Sequence, residues 1–250
     1  MKEVVGQSEE KVLKVCLLAG RIMMESGAET YRVEDTMTRI AAAYGITEAH
    51  SFVTPTGIIV SLQGVSPTQL VRISNRTTDL EKVARVNAIS RRIADGSLDV
   101  DEALVLLKEL ESAHLFFSNW LQIAAASLLS GSFLIMFKGV WTDFFPALLV
   151  GGVGYSGLLA IQHYTKVKFF AEFISSLIIG MIAFGLVGIG LGHELDKIII
   201  ASVMPLVPGL LITNAVRDLM AGHFVSGLSK GAEAFLTAFA IGAGVAVVFL

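Results

Sequence analysis

The chain has 250 residues, a formal net charge of −3, and a composition in which 54% of residues are hydrophobic and only 16% are charged. Because a soluble domain carries roughly 25% charged residues, this composition excludes an intrinsically disordered chain and a simple soluble globule. The slight negative charge also offers no basic surface that would attract nucleic acid.

The charged residues divide the chain into two parts. Residues 1–117 hold 13 Lys/Arg and 16 Asp/Glu, whereas residues 118–250 hold 6 of each. The first charge density is that of a soluble domain, and the second is that of a membrane-embedded one. We therefore expect an α+β cytoplasmic domain over residues 1–117, followed by an all-α polytopic membrane bundle of about five transmembrane helices over residues 118–250.

Apolar periodicity predicts the elements of the first part in chain order. Apolar residues recur every three or four positions over residues 9–24, 30–44 and 79–94, which is typical of helices with one buried face. Gly27 is the expected end of the first helix, Thr30 the expected cap of the second, and Asp99 the expected cap of a fourth. Three β-branched runs separated by turns predict antiparallel strands. They are Ser51–Thr54, Ile58–Leu62 and Leu70–Ser74.

Five apolar stretches in the second part are candidate membrane spans, since a helix needs about 20 apolar residues to cross a bilayer. They lie at about residues 118–137, 144–163, 169–191, 197–213 and 232–250. With the N-terminus in the cytoplasm, four basic residues fall in inside loops and two fall outside, which favours that orientation. The inside residues are Lys166, Lys168, Arg217 and Lys230, and the outside ones are Lys138 and Lys197.

The span at about 197–213 is interrupted by two prolines. Pro205 and Pro208 each remove an amide donor, and unpaired backbone inside a bilayer persists only where protein or a water-filled cavity covers it. A half-helix that begins at Gly209 could hold a substrate carboxylate at its N-terminus. The alternative is a simple packing kink.

Polar side chains follow this interruption at helical spacing. Asn214, Arg217 and Asp218 stand at i, i+3 and i+4, so a continuing helix presents all three on one face. They could bind substrate or gate its pathway. The alternative is an ordinary charge pair at the membrane surface.

Two further groups are candidates for transport chemistry. Glu172, His223 and Glu233 sit near span ends and could relay protons, although interfacial solvation explains each of them as well. Thr54 and Thr56 lie in a turn between two predicted strands, where their hydroxyls could face a pore mouth. A plain turn is the alternative.

No cofactor or metal site is expected. The five histidines are dispersed without metal-ligand spacing. Residues 152–157, Gly-Val-Gly-Tyr-Ser-Gly, match the dinucleotide fingerprint, but they lie inside an apolar span without the strand–turn–helix context of that motif. Close helix packing on small residues explains them better.

Motifs in a fixed order carry a resemblance to a known family. Residues 26–34 read Ser-Gly-Ala-Glu-Thr-Tyr-Arg-Val-Glu, and residues 54–57 read Thr-Pro-Thr-Gly. Residues 205–209, Pro-Leu-Val-Pro-Gly, are followed at 213–218 by Thr-Asn-Ala-Val-Arg-Asp. Together with the five spans, these motifs make the chain resemble the threonine/serine exporter family of bacterial membrane proteins, in its split form.

The resemblance implies an exporter of small polar metabolites in the bacterial plasma membrane, coupled to the proton motive force. Fused members of the family export threonine and serine, and a related two-subunit system carries succinate. Fused members have about ten spans, so a chain with about five implies a second, smaller polytopic membrane subunit as partner. The implied contacts are therefore the lipid bilayer, a small carboxylate-bearing metabolite and that subunit, with oligomerisation left open.

Two other function classes stay open beside the exporter. A membrane-anchored enzyme would use a hydrolase-like N-terminal domain, although no Ser/His/Asp or Cys/His arrangement at recognisable spacing is found, so we do not expect an enzyme. A regulatory or scaffold subunit of a transporter is the other alternative.

Overall fold

The computed structural model describes residues 2–62, 68–113, 117–165 and 167–250, so Lys166 lies outside the described residues. These residues form ten α-helices and three β-strands. The helices are α1 (Lys2–Glu25), α2 (Thr30–Ala43), α3 (Leu80–Ala94), α4 (Val100–Ser112), α5 (Asn119–Met136), α6 (Phe144–Thr165), α7 (Lys168–Gly188), α8 (Leu195–Val203), α9 (Gly209–Met220) and α10 (Phe224–Ala246). The strands are β1 (Ala49–Thr54), β2 (Gly57–Leu62) and β3 (Gln69–Arg72).

The chain divides into two compact units whose residues do not correspond to the predicted division at residue 117. Unit 1 comprises residues 1–116 and 210–231, and unit 2 comprises residues 117–209 and 232–250. The prediction of an α+β cytoplasmic domain followed by a separate membrane bundle is wrong. The described chain is mainly helical, its sheet is small, and the N-terminal residues share unit 1 with most of α9 and the start of α10. The error has a physical reason, since periodicity identifies a buried face but not the distant segment that covers it.

Apolar stripes form the core of unit 1. On α1, Val15, Cys16 and Ala19 are fully buried, and they belong to one apolar cluster with residues of α2, α3, α4 and the sheet. Gly27 has a φ of +84°, the left-handed conformation typical of the residue that follows a helix. Asp99 accepts a hydrogen bond from the amide of Glu102 at 2.7 Å, so the cap predicted for α4 is confirmed.

The cap predicted for α2 is wrong. Glu29 occupies the N-cap position without a side-chain cap bond, and Thr30 is the first residue of the helix. The amide of Thr30 instead donates to the carboxylate of Asp218, which belongs to α9. The first turn of α2 is therefore stabilised by a residue from the far end of the chain.

The three strands pair antiparallel in the order β1-β2-β3. Thr54 pairs with Gly57 next to the β1–β2 turn, and Ile58 pairs with Val71 across β2 and β3. Side chains alternate along each strand, so one face of the sheet is buried and the other is exposed. Val53, Ile58 and Val60 lie on the buried face, and Phe52, Ile59 and Leu70 lie on the exposed one.

Long apolar helices make up most of unit 2. Among the described residues, four segments are long and apolar enough to cross a membrane: Asn119–Met136, Trp141–Thr165, Lys168–Gly188 and Phe224–Phe249. Leu195–Leu206 with Gly209–Met220 is a fifth candidate, as a broken span or a re-entrant loop. Small residues permit close packing within this unit, because a Cβ at Gly154 would overlap Ile179 and one at Gly244 would overlap Ser176.

Candidate functional site

The polar face of α9 meets the loop between α1 and α2 inside unit 1. Asn214 Nδ2 donates to the carbonyl oxygen of Gly27 at 2.8 Å, and Asp218 binds the first residue of α2. The i, i+3, i+4 spacing therefore does place these side chains on one face, as helical geometry requires. That face contacts the Ser-Gly-Ala-Glu-Thr motif, so two motifs almost 190 residues apart in the sequence meet in space.

An ion pair between Asp218 and Lys230 lies at the centre of this contact. The Lys230 Nζ and Asp218 Oδ2 atoms are 2.7 Å apart, and the two side chains are 4% and 0% exposed. Lys230 also donates to the carbonyl oxygen of Ala28 at 3.1 Å and to Thr30 Oγ1 at 3.3 Å. Three acceptors therefore surround the three donors of its ammonium group.

Asp218 is equally well satisfied. Its Oδ1 atom accepts from the Thr30 amide, and its Oδ2 atom accepts from the Thr30 hydroxyl, both at 2.9 Å. A carboxylate at this point both caps α2 and opposes the positive end of the helix dipole. We call Thr30, Asp218 and Lys230 the buried ion-pair cluster.

Glu29 links this cluster to two arginines. Its Oε1 atom lies 2.6 Å from Arg217 and its Oε2 atom lies 2.9 Å from Arg32. Burial by itself raises the pKa of Glu29, but its backbone hydrogen bond and the two arginines outweigh burial and lower that pKa overall. Glu29 is therefore held as an anion between two cations.

His223 and Glu34 form a second polar contact of unit 1. His223 Nδ1 lies 3.9 Å from Glu34 Oε2, and Glu34 Oε1 accepts from the amide of Val53 at 3.0 Å. Burial raises the pKa of Glu34. Ser226 on α10 donates to the carbonyl oxygen of Val53 at 3.2 Å, so β1 is also fastened to α10.

Thr54 and Thr56 bond mainly within their own turn. Thr54 Oγ1 accepts from the Gly57 amide at 3.1 Å and donates to the Gly57 carbonyl oxygen at 3.0 Å. Both threonines line a shallow hollow of about 370 Å³ on the exposed face of the sheet, beside Phe52. These hydrogen bonds are those expected of a plain turn. A role of the two threonines at a pore mouth stays a prediction.

The proline interruption separates α8 from α9. Pro205 lies in a 3-10 turn, Met204–Leu206, and Val207 is extended with φ −64° and ψ 128°. The amide of Gly209 donates to the carbonyl oxygen of Val207 at 2.8 Å, and α9 starts at Gly209 immediately after Pro208. The interruption is therefore a true break in the helix.

Glu172 lies on α7 in unit 2, where it is 4% exposed. Its Oε2 atom has no hydrogen-bond partner among the described residues, and neither has Ser175 Oγ or Thr237 Oγ1. Thr237 lies beside the carboxyl group of Glu172 without a hydrogen bond of standard geometry. One turn away, Lys168 forms an ion pair with Glu233 at 2.9 Å. We call Glu172, Ser175 and Thr237 the unpartnered polar group.

The predicted proton relay is divided between the units. Glu172 and Glu233 belong to unit 2 and lie close enough to interact electrostatically, whereas His223 belongs to unit 1. Sequence reasoning missed the roles of Glu29, Thr30 and Lys230, since Lys230 was counted only as an inside-loop charge. The available signal was a lysine next to an apolar span, 12 residues downstream of Asp218, which was already a candidate site residue.

No candidate metal centre is found in the described ranges, where three or more His, Cys, Asp or Glu residues are never grouped suitably. Protein groups satisfy the buried ion-pair cluster but not the unpartnered polar group. In unit 1, Asp79 Oδ2 and Ser90 Oγ are also buried without a partner among the described residues.

Comparison with known proteins supplies the context of these residues. A family model described as "Putative threonine/serine exporter" matches residues 14–250. A "Probable threonine/serine exporter" of Mycobacterium tuberculosis is 26% identical over 234 residues, covering 91% of this chain and 44% of that protein. The chain thus spans less than half of that relative's length.

Two shorter relatives match over nearly their whole length. A "Probable succinate transporter subunit YjjP" of Klebsiella aerogenes is 26% identical over 255 residues, covering 96% of this chain and 93% of that protein. Its namesake in Escherichia coli is 24% identical over 251 residues, covering 96% and 94%. No solved structure matches the chain.

Proposed function

Because the chain belongs to the threonine/serine exporter family, we propose that it is a subunit of an exporter that moves small carboxylate-bearing metabolites out of a bacterial cell. Threonine and serine, or a dicarboxylate such as succinate, are the proposed substrates, in line with the names of its relatives. The family resemblance expected from the sequence motifs is confirmed by the family match. Four long apolar helices support a multi-pass membrane protein.

The proposed assembly contains a second, smaller polytopic subunit. The supporting observation is the length comparison, since the chain covers 44% of one exporter but 93% of a protein named as a subunit. We place the complex in the plasma membrane with residues 1–117 on the cytoplasmic side, because the Lys/Arg distribution favours that orientation.

The observation that carries coupling to protons is the unpartnered carboxyl oxygen of Glu172. An ionised carboxylate without a partner in an apolar helix bundle costs several kcal/mol unless a proton or a cation neutralises it. Lys168, four residues earlier on the same helix, is held by Glu233. In the proposed cycle Glu172 takes a proton in one state and attracts Lys168 away from Glu233 in the other.

The proposed gate is the contact of α9 with the 27–30 loop. Asn214, Arg217 and Asp218 each form a hydrogen bond with that loop, although the Arg217 side chain is still 55% exposed. This supports gating over direct substrate binding for these three residues. The break at Pro205, Pro208 and Gly209 remains the proposed carboxylate-binding segment.

The test is efflux of labelled threonine, serine and succinate from cells that express the chain with and without a co-expressed candidate for the second, smaller polytopic subunit. We expect efflux of at least one substrate only when both are present, and its loss when a protonophore collapses the proton gradient. Absence of efflux above the vector control for all three substrates would contradict the proposal.

The coupling role is tested with Glu172→Gln and, as matched control, Asp196→Asn, an exposed acidic residue of the same unit. Efflux by the Glu172→Gln variant should no longer respond to the protonophore, whereas the control should behave as wild type. If the Glu172→Gln variant keeps the full protonophore response, Glu172 does not carry the coupling proton.

A further inference from the structure

A groove between α2 and α3 in unit 1 has no part in the proposed transport path. It has a volume of about 400 Å³, which lies in the range of small-molecule sites. Residues spaced by three, four and seven positions face it from both helices, as expected for two helix faces in contact. The lining residues are Arg32, Asp35, Thr36 and Arg39 of α2, with Ala84, Asn87 and Arg91 of α3.

The groove carries an excess of positive charge. Three guanidinium groups and one carboxylate line it. The Arg39 guanidinium is paired with Asp35, its neighbour one turn earlier. Arg91 has no carboxylate partner among the described residues, and Arg32 shares Glu29, which does not line the groove, with Arg217.

Arg91 is the donor best placed to bind a ligand. Within the described ranges, its exposed guanidinium has no hydrogen bond or ion pair, and the half-buried side chain of Asn87 lies one turn before it on the same face. A guanidinium presents its N–H groups as a planar fork that matches the oxygens of a carboxylate or a phosphate. A helix face that offers this fork together with an amide is suited to an anion.

We propose that this groove binds a small, freely diffusing dianion whose charge is carried by carboxylate or phosphate oxygens. Arg91 binds one end of the ligand and Arg32 the other, and Asn87 adds a neutral donor. A zwitterion such as threonine fits poorly, because its ammonium group would meet the same guanidinium groups.

Arg32 connects this groove with the proposed gate. Its Nη1 atom lies 2.9 Å from Glu29 Oε2, and the other oxygen of Glu29 binds Arg217 on α9. An anion that draws Arg32 into the groove leaves Glu29 to Arg217 alone, which strengthens the attachment of α9 to the 27–30 loop. Occupancy of the groove therefore favours the attached state. This regulatory step rests on the proposed function, whereas binding of the anion does not.

The binding test uses the full chain, purified in detergent, titrated calorimetrically at constant ionic strength with succinate, inorganic phosphate or threonine. We expect succinate, phosphate or both to bind, and threonine to bind at least tenfold more weakly. Binding of succinate alone would identify a dicarboxylate site, and binding of phosphate alone a site for phosphate esters. If neither anion binds, the proposal is wrong.

Substitutions of two neighbouring arginines of α3 distinguish anion binding in the groove from anion binding at a transport site. Arg91→Gln should weaken anion binding about tenfold, and Arg92→Gln, next to it on α3 but outside the groove, should leave binding unchanged. Both side chains are exposed, so neither variant should lower the melting temperature of the free protein. Equal effects of the two variants, or no effect of Arg91→Gln, would place the bound anion elsewhere and overturn the proposal.

The regulatory step has its own readout. In cells that show efflux, Arg91→Gln should change the dependence of the efflux rate on the internal concentration of the bound anion, with the substrate held constant. Unchanged dependence despite weakened binding would remove the regulatory step and leave the binding site intact. Failure of efflux altogether would refute the transport proposal without affecting the calorimetric result.

Discussion

Two buried carboxylates, Asp218 in unit 1 and Glu172 in unit 2, differ in how far protein groups satisfy them. Each unit also holds the other kind, since Asp79 of unit 1 keeps an unpartnered oxygen and the carboxylate of Asp143 in unit 2 accepts two backbone amides. In unit 1, Asp218 and Lys230 are almost completely buried, and protein groups satisfy both of them. In unit 2, Glu172 is buried to a similar degree but keeps an oxygen without a partner. A satisfied buried pair holds one arrangement of the chain, whereas an unsatisfied carboxyl group is stabilised by whatever reaches it. The comparison therefore distinguishes residues that hold the fold in one arrangement from residues that can take up and release a proton.

The largest expected effect of a single substitution is that of Asp218→Ala. It leaves the buried ammonium of Lys230 without its counter-charge and removes the cap of α2, and breaking a buried pair in this way costs about 3–5 kcal/mol. A lower melting temperature and faster proteolysis at the 27–30 loop are the measurements.

Two control variants show whether the loss of stability comes from the unpaired buried charge. Glu81→Ala breaks the exposed pair with Arg85 and should cost less than about 1 kcal/mol. The double change Asp218→Leu with Lys230→Met should recover most of the loss, because it removes both charges. Equal melting temperatures for Asp218→Ala and wild type would contradict the structural role of the pair.

A smaller loss is expected from Thr30→Val, which keeps the shape of the side chain and removes only its hydroxyl. Asp218 then lacks one donor and Lys230 one acceptor, so the free energy of unfolding should fall by about 1–3 kcal/mol. Thr38→Val, at an exposed position of the same helix, is the control. Chemical denaturation of both variants would check the difference, and identical curves would refute it.

The pH dependence of stability provides a third test. The pKa of Glu29 is lowered in the folded protein. Its ionised carboxylate therefore stabilises the fold above the usual glutamate pKa of about 4.3, and this stabilisation is lost as the pH falls through the lowered pKa. Melting temperatures of the Glu29→Gln variant should therefore decline less steeply below about pH 4. An acid limb as steep as that of wild type would contradict this assignment.

Glu34 should respond with the opposite sign. Burial raises the pKa of Glu34. Its protonated carboxyl group therefore contributes fully to the stability of the fold below the usual glutamate pKa, and that stability is lost as the pH rises through the raised pKa. Melting temperatures of Glu34→Gln should consequently fall less than those of wild type over that upper interval. Parallel curves for the two proteins would show that Glu34 makes no such contribution.

The smallest effect on stability is expected from Glu172→Gln. No counter-charge depends on the carboxylate alone, since Lys168 remains paired with Glu233, and the change in unfolding free energy should stay below about 1 kcal/mol. Thermal unfolding beside Asp218→Ala checks the comparison directly. A loss as large as that of Asp218→Ala would mean that Glu172 fixes structure in the same way as the buried ion pair.

Local features were predictable wherever neighbouring residues decide them. Val15, Cys16 and Ala19 follow the helical period and are buried, and Asp99 caps its helix because the amide it bonds is three residues away. Conversely, Thr30 is not the cap predicted for α2 but its first residue, and its amide donates to a carboxylate 188 residues away. No local pattern contains that acceptor.

The candidate site was predictable only in part for the same reason. The spacing of Asn214, Arg217 and Asp218 indicated a shared face, but it did not indicate what that face would contact. Lys230 resembled an ordinary positive charge at a membrane surface, because its burial depends on Ala28 and Thr30. Composition shifts mark where the environment of a chain changes, but unit 1 is assembled across that shift.

The divided course of unit 1 has a consequence for biosynthesis. Helix α2 leaves the ribosome early, but the aspartate and lysine that complete its first turn follow only after residues 117–209 have been made. At about 5–20 residues per second, that delay is on the order of ten seconds. Throughout this interval the nascent N-terminal segment has its apolar core but lacks its last partners. Packing of the N-terminal segment is therefore complete only after Lys230 has been made, and a chain truncated before residue 230 lacks the ion pair at the first turn of α2.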